Sequence, residues 1–247
     1  MLKELDIEKD NDVLTVTIVR GEQNLFSGAM MEQLVDALAH ASTDKALRFM
    51  RLRSNGPNFC LGREREGRTL DELRAEAERI VRVNDALRSS PLVSVAEVRG
   101  EAAGFGAGLV AATDIAIASH DTTMSFPEIL AGVPPTIVIS WLAFSLPYKV
   151  AFEIVATGRK VSSGEAVKWG LLTEVVPPHE VTGRADKVLN DLRSRNTDGL
   201  RDIKRFFGQV RALDPVSAAR ASIDPLALAS LRLVRQADHR LPGSRQG

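Results

Sequence analysis

Gly104-Phe105-Gly106-Ala107-Gly108 lies between an apolar strand candidate and an apolar helix candidate, and this junction decides how the chain folds. The strand candidate before it covers residues 93–98, and the small-residue run at residues 109–112 after it is typical of a tightly packed helix. Glycines at such a junction let the backbone approach a ligand closely and leave free N–H groups at the helix N-terminus. The segment therefore predicts a strand-to-helix turn that can bind a ligand.

Phosphate-binding loops use the same local geometry, so the spacing of this turn has to be compared with theirs. A Walker A loop needs Gly-Lys-Ser/Thr, which is missing here. The dinucleotide fingerprint needs G-x-G-x-x-G, whereas this turn has glycine at alternate positions. A purely structural turn, with small residues for close packing, remains an alternative that the spacing alone does not exclude.

Strands alternate with helices in the part of the chain before Pro177. Apolar and β-branched runs predict strands at residues 13–19, 47–53, 93–98 and 114–118. Ser27 can cap a first helix, and Thr69 with Glu72 forms the capping-box pattern of a second helix. Strands that alternate with helices of this length predict βαβ units with right-handed crossovers.

The second helix has a candidate buried face, and the end of the chain is mainly helical. The apolar spacing predicts that this face is formed by Leu70, Leu73, Ala77, Ile80, Asn84 and Leu87. After Pro177 the apolar positions follow helical spacing, and prolines interrupt the later helices. The simplest organisation is an α/β core over residues 1–190, followed by a helical region over residues 191–247.

The composition is that of an ordinary globular protein. The chain is 44% hydrophobic and 26% charged, and 32 basic residues balance 32 acidic ones. A net charge of zero gives no general reason to bind nucleic acid or an anionic membrane, and no apolar run is long enough to span a bilayer. The first residues do not resemble a signal peptide, and Cys60 is the only cysteine. These features predict a cytoplasmic protein without a nucleic-acid or membrane partner.

A second loop, Phe59-Cys60-Leu61-Gly62, follows a turn after the strand at residues 47–53. With the glycine-rich turn, it resembles the crotonase (enoyl-CoA hydratase/isomerase) family, in which a Phe-Cys/Ser-Ala-Gly-x-Asp segment and a glycine-rich turn each supply one oxyanion N–H. The resemblance implies an α/β fold, a crotonase-like spiral of ββα units with a helical C-terminal part. It also implies an acyl-coenzyme A thioester as the substrate.

The resemblance continues in order and at family spacing over residues 5–180. Each motif alone is weak evidence, but the ordered set is specific. The matching segments are Asn24-Leu25-Phe26-Ser27, residues 114–118, Phe126-Pro127-Glu128-Ile129, residues 132–134, residues 157–166 and residues 170–176. Beyond residue 180 the chain resembles the family only in being helical.

The resemblance implies which residues form the site. The backbone N–H groups of Leu61 and Phe105 would be the two oxyanion donors, and Glu128 would be the acid/base. Considered without the resemblance, Glu128 is equally a first-turn glutamate placed by Pro127 at a helix N-terminus. Coenzyme A would enter as part of the substrate, with no other cofactor and no metal. The residues expected to bind substrate are Glu22, Gln23, Phe26, Gly62, Arg63, Gly104 and Gly108.

Gly108 departs from the family pattern and narrows the expected reaction. Family hydratases carry at this place a second glutamate, which helps to position water, whereas glycine has no side chain. A single glutamate that moves a proton between two carbons suits an enoyl-CoA isomerase, which is the leading hypothesis. The alternatives are a hydratase, decarboxylase or hydrolase of the same family, and a non-catalytic acyl-CoA binding subunit.

The pair Arg63-Glu64 also departs from the family, which has Ala/x-Asp after the first glycine. The favoured interpretation is solvated charge in a charged loop. The alternative is a contact with a polar acyl group, or with the carboxylate of a dicarboxylic thioester. On two predicted strands, charges spaced by two share one face, and the alternation predicts cross-strand ion pairs between Arg51 or Arg53 and Glu97.

The resemblance implies assembly into a homotrimer or hexamer through the C-terminal helices. Residues 191–247 are therefore expected to serve oligomerisation and to cover the pocket. Apolar positions in residues 200–213 fit this role, but packing within one chain would use the same stripe.

Overall fold

The computed structural model describes the backbone of residues 4–240 and the side chains of residues 4–235. Within that part the chain forms nine strands, most of the first ones six residues long and most of the later ones two or three residues long. The strands are β1 (Leu5–Asp10), β2 (Val13–Ile18), β3 (Phe49–Ser54), β4 (Val93–Val98), β5 (Glu101–Ala103), β6 (Ile115–Ser119), β7 (Thr123–Ser125), β8 (Val161–Ser162) and β9 (Glu174–Val176).

The helices lie between these strands and after them. Two short 3₁₀ helices cover Pro127–Ala131 and Pro178–Glu180. The α-helices are α1 (Gly28–Thr43), α2 (Leu70–Ser89), α3 (Phe105–Ala112), α4 (Thr136–Ser145), α5 (Tyr148–Thr157), α6 (Ser163–Lys168), α7 (Val181–Arg193), α8 (Thr197–Val210), α9 (Pro215–Ala221) and α10 (Ile223–Arg240).

The strands form two sheets, and the chain contributes strands first to one and then to the other. The larger sheet has the order β1-β2-β3-β4-β6-β9, and the smaller one has the order β5-β7-β8. Only β1 is antiparallel in the larger sheet, because it forms a hairpin with β2. From β4 to β5 and from β6 to β7 the chain passes from the larger sheet to the smaller one, so successive turns add one strand to each. The predicted crotonase-like spiral with a helical C-terminal part is confirmed.

Local sequence signals place the first two helices as expected. Ser27 caps α1 by accepting a hydrogen bond from Met30 N, and Thr69 with Glu72 forms the predicted capping box of α2. The predicted buried face of α2 was partly wrong. Leu70 is 72% exposed, and the buried residues are Glu76, Val83 and Leu87. The first turn of α2 lies at the solvent, so its leucines do not reach the core.

The expected ion pairs on the sheet are present in part. Because β3 and β4 are parallel neighbours, Arg51 reaches Glu97, with 3.2 Å between Nε and Oε1. Glu97 is fully buried and also accepts a hydrogen bond from Thr182 Oγ1 of α7 at 2.7 Å. Arg53 instead donates to Thr17 Oγ1 at 3.1 Å. Glu97 therefore connects the sheet to α7, whereas Arg53 makes its bond within the sheet.

The chain divides into two compact units, residues 1–194 and residues 195–247. The first contains both sheets and α1–α7, and the second contains α8–α10. The sequence-based boundary stood at 190/191, within α7. Among the described residues no helix is both long enough and apolar enough to cross a bilayer.

Candidate active site

The two loops singled out in the sequence lie side by side. The loop that contains Phe59 and Cys60 pairs with β5, because both N–H groups donate to Glu101 O and Cys60 O accepts from Ala103 N at 2.9 Å. β5 leads directly into the glycine-rich turn and α3. A Cβ atom on Gly106 would lie 2.1 Å from Cys60 O, so the start of α3 is pressed against the first loop. The fold thus brings together two segments more than forty residues apart.

The first loop is also paired on its other side, with the segment that precedes α1. Leu61 N donates to Gln23 O at 2.9 Å, and Phe26 N donates to Gly62 O at 3.1 Å. The Leu61 N–H is therefore already used within the protein. The prediction that it binds the substrate oxygen is wrong for this structure.

The Arg63 N–H, two residues further along this loop, is oriented differently from the Leu61 N–H. The peptide group that contains the Arg63 N–H also contains the Gly62 carbonyl, and this carbonyl accepts a hydrogen bond from Phe26 N. A trans peptide unit directs C=O and N–H to opposite sides, so the Arg63 N–H points away from the Phe26 segment. β5 borders the loop on that side, through Cys60. Among the described residues the Arg63 N–H has no hydrogen-bond partner.

The second donor group lies at the start of α3. A helix leaves its first N–H groups without intrahelical partners, and Gly104 at the N-cap supplies no side-chain bond. The Phe105 N–H accordingly has no partner within residues 4–240. Phe26, expected to bind substrate, is fully buried with its ring centroid 5.2 Å from that of Phe105. Its side chain supports the start of the helix.

Glu128 lies directly beside this helix start. A Cβ atom on Gly104 would be 2.8 Å from Glu128 Oε1, so a larger residue there would require the carboxylate to shift. Gly104 also has a positive φ of 52°, which favours glycine independently. Glu128 Oε2 is buried and has no partner among the described residues. The carboxylate therefore lies beside Gly104, the residue that precedes Phe105, and its Oε2 has no partner among the described residues.

The surroundings of Glu128 favour its protonated form more than water does. Burial raises the pKa of the Glu128 carboxyl above its ordinary value of 4.5, while the charges of Arg65 and Arg63 oppose this increase. A carboxyl whose pKa is raised by burial holds a proton more readily than one in water, which suits a general acid/base.

Gly108 lies in the first turn of α3, four residues after Gly104. Gly108 N donates to Gly104 O at 3.0 Å. Gly108 is buried, yet a Cβ atom placed on it would have no neighbour within 4 Å. The start of α3 therefore has open space at the position where a longer side chain would project.

The remaining predicted substrate residues border the first loop. Glu22 and Gln23 have exposed side chains, and their carbonyl groups accept from Asn58 Nδ2 and Leu61 N. Gly62 has a φ of 132°, which allows the turn that frees the Arg63 N–H. Neither segment meets Glu128 in a described contact, and their role in binding coenzyme A stays a prediction.

The interpretation of Arg63-Glu64 as solvated loop charge was wrong. Arg63 Nη1 lies 2.7 Å from Glu76 Oε2, and Arg20 Nη2 lies 2.7 Å from Glu64 Oε1. Both charges are thus used in ion pairs within the protein. Glu76 was missed as a site residue, and the signal was available, because it is a charged residue at helical spacing with Ile80, Val83 and Leu87.

Comparisons with known proteins identify the family of the chain. The family model for enoyl-CoA hydratase/isomerase matches residues 8–223. The human mitochondrial enoyl-CoA hydratase domain-containing protein 3 is 30% identical over 177 residues, which are 70% of this chain and 58% of that protein. The chain thus spans less than two thirds of that relative's length.

Two further comparisons cover a larger share of the matched protein. The 1,2-epoxyphenylacetyl-CoA isomerase of Escherichia coli K12 is 28% identical over 207 residues, covering 79% of this chain and 78% of that protein. A crystal structure of an enoyl-CoA hydratase from Mycobacterium smegmatis has a TM-score of 0.88 at 25% identity, covering 92% of this chain and 90% of that one. The chain belongs to the enoyl-CoA hydratase/isomerase family.

Proposed function

We propose that this protein is an enoyl-CoA isomerase that moves a double bond next to a thioester carbonyl. The observation that carries the proposal is the combination of one half-buried glutamate, Glu128, whose Oε2 is unpartnered among the described residues, with a glycine and open space at position 108. A hydratase of the family uses two carboxylates to handle water, whereas a proton transfer between two carbons needs only one. Proteins named as isomerases occur among the relatives, beside others named as hydratases.

In the proposed reaction the thioester oxygen of a 3-enoyl-CoA binds to the Arg63 and Phe105 N–H groups. Glu128 removes a proton from C2, and the electron pair of that C–H bond forms a dienolate whose negative charge lies on the thioester oxygen. The two N–H groups and the N-terminal end of α3 stabilise this charge. Glu128 then returns the proton to C4, which gives the conjugated 2-enoyl-CoA. No cofactor is needed beyond the coenzyme A of the substrate.

The arrangement also explains why the donors are main-chain groups. Their positions are set by hydrogen bonds of the loop and the helix, so they need not reorganise when charge develops on the oxygen. Removing one such donor from an enzyme typically lowers the rate by about 10²–10³. Side chains at positions 63 and 105 do not alter the N–H, and bulky residues are therefore compatible with this role.

Replacing the carboxylate tests the proposal directly. Glu128→Gln keeps the shape of the side chain but cannot accept a proton, so kcat for 3-enoyl-CoA should fall by at least about 10² while binding of the thioester is retained. The measurement is formation of the conjugated product by ultraviolet absorbance, with binding followed by calorimetry. Glu78→Gln, an exposed glutamate on α2, is the matched control and should behave as the unmodified protein.

Two outcomes would contradict the proposal. Fast hydration of crotonyl-CoA without any conversion of 3-enoyl-CoA would identify a hydratase, with water bound in the space beside Gly108. Thioester binding without turnover, unchanged by Glu128→Gln, would identify a binding subunit. A panel of enoyl-, dicarboxyl- and aryl-CoA thioesters followed by mass shift would reveal hydration, decarboxylation or hydrolysis, each of which changes the mass.

We further propose that the protein works as a homotrimer or hexamer. The support is an apolar stripe on α10, where Ile223, Leu226, Leu231 and Val234 are 45–69% exposed. Apolar surface of this kind marks interaction sites.

A further inference from the structure

Glu76 is a buried carboxylate on α2 whose bonds all go to the segment that carries the proposed oxyanion donor. It is 5% exposed. Oε2 accepts from Arg63 Nη1 at 2.7 Å, and Oε1 accepts from Glu66 N at 2.8 Å and from Gly67 N at 2.5 Å. One carboxylate thus binds both ends of residues 63–67.

The carboxylate is held in its charged form. Burial by itself raises the pKa of Glu76, but the hydrogen bonds from Gly67 N, Arg63 and Glu66 N outweigh it and keep the pKa below its usual value. A buried anion is tolerated only when paired and hydrogen-bonded, and these three donors meet that condition.

Residues 64–68 have no regular secondary structure, so their position depends on such side-chain bonds. The backbone next to Arg63 is bonded to Phe26, since Phe26 N donates to Gly62 O at 3.1 Å and Glu64 N donates to Phe26 O at 2.8 Å. Arg20 also pairs with the Glu64 side chain. Beyond Glu64 the described bonds of the segment go to Glu76 and, at Arg68 N, to Glu72.

We propose that Glu76 is a positioning residue, which holds residues 63–67 so that the Arg63 N–H stays directed at the thioester oxygen. This inference rests on the proposed function. Glu76 does not touch the substrate, and it acts through Arg63. Catalysis depends steeply on such placement, since a displacement of about 1 Å can cost about 10² in rate.

Two substitutions separate the two sets of bonds that Glu76 makes. Glu76→Leu removes every bond to the segment, so kcat should fall by about 10². Glu76→Gln keeps a carbonyl oxygen for Glu66 N and Gly67 N, and it loses the charged bond to Arg63. It should therefore retain kcat within about tenfold of the unmodified protein. In both variants KM for 3-enoyl-CoA should stay within about threefold, because the interaction lost is made mainly in the transition state.

Glu78→Leu is the matched control, because it makes the same change two residues away on an exposed position of α2. Thermal unfolding is measured for every variant. If Glu76→Leu does not fold, Glu76→Asp tests the same point, since it keeps the charge but withdraws the carboxylate by one methylene. Its kcat should fall by about tenfold or more, again at unchanged KM.

The inference is overturned if Glu76→Leu, or Glu76→Asp in its place, retains the kcat of the unmodified protein. It is also overturned if kcat and KM change only in step with the loss of folded protein, as a purely structural role predicts. Failure of the proposed function is a separate result, because the unmodified protein would then fail to isomerise 3-enoyl-CoA.

Discussion

The proposed proton-transfer group of the site is the Glu128 carboxyl, and its surroundings predict a specific pH dependence. Glu128 must be ionised to remove the first proton, and burial raises its pKa above 4.5. Lowering the pH through that raised pKa protonates the base, so kcat/KM should fall with a midpoint above 4.5. The measurement is kcat/KM for 3-enoyl-CoA against pH, with circular dichroism at each pH to establish that the protein is folded.

A charge change beside Glu128 provides the control for this assignment. The charge of the exposed Arg65 lowers the pKa of Glu128, so Arg65→Gln should move the midpoint to higher pH. A midpoint at or below 4.5, or one that Arg65→Gln leaves unmoved, would mean that another group governs the profile.

Single residues of the site differ in how far the sequence could predict them. Glu128 and Phe105 follow from motifs, because their positions relative to a proline and a helix start are local features. The choice between Leu61 and Arg63 is not local. It depends on which N–H groups of the loop bond to the segment before α1. In the structure Leu61 N donates to Gln23 O. Glu76 required knowing that α2 turns this position towards the first loop.

At the level of elements, the contact between α3 and the first loop predicts opposite effects for two glycines of one helix. On Gly106 a Cβ atom would lie 2.1 Å from Cys60 O, whereas on Gly108 it would meet nothing within 4 Å. Gly106→Ala should lower the free energy of unfolding by about 1–3 kcal/mol or more, because the loop must move away. Gly108→Ala should raise it by about 0.5–1 kcal/mol, because alanine favours the helix.

Urea unfolding of both variants checks this prediction, and each serves as the control for the other. Gly106→Ala should also reduce isomerase activity, since separating the loop from α3 separates the two proposed donors. A Gly106→Ala protein as stable as the unmodified one would show that the two segments are not in the contact described here.

Elements with strong local signals were predicted, and those that depend on neighbours were not. Val93–Val98 was placed without error because every residue of β4 is buried, which leaves a clear apolar run. β1 was missed because Leu5–Asp10 is largely polar and exposed. The strands β5 and β7 were missed because each has only three residues, too few to show the alternation of apolar and polar residues that is typical of a strand. The two strands are stabilised by pairing with each other. The predicted face of α2 included Leu70 and Leu73, which lie in the exposed first turn of the helix and do not reach the core.

For the whole molecule, the fold and family were predictable because ordered motifs constrain the topology together, whereas the expected homotrimer or hexamer stays a prediction. Several apolar side chains of α10 remain exposed in the described part of the chain. Ile223, Leu226, Leu231 and Val234 follow the spacing of one helical face, and a face of this kind is normally buried against a partner. This is the physical basis for expecting an assembly of several copies.

Sedimentation equilibrium should therefore give a mass near three or six times the 26.8 kDa of one chain. Leu226→Glu combined with Val234→Glu places two charges in the apolar stripe, and burying them would be costly, so the mass should fall towards that of one chain. Leu228→Glu is the matched control. Leu228 is 62% exposed, and at about 100° per residue it lies roughly 160° from Leu226 and roughly 120° from Val234 around the axis of α10. An unmodified protein with the mass of one chain would refute the assembly. A mass that falls equally with Leu228→Glu would show that the stripe is not the contact surface.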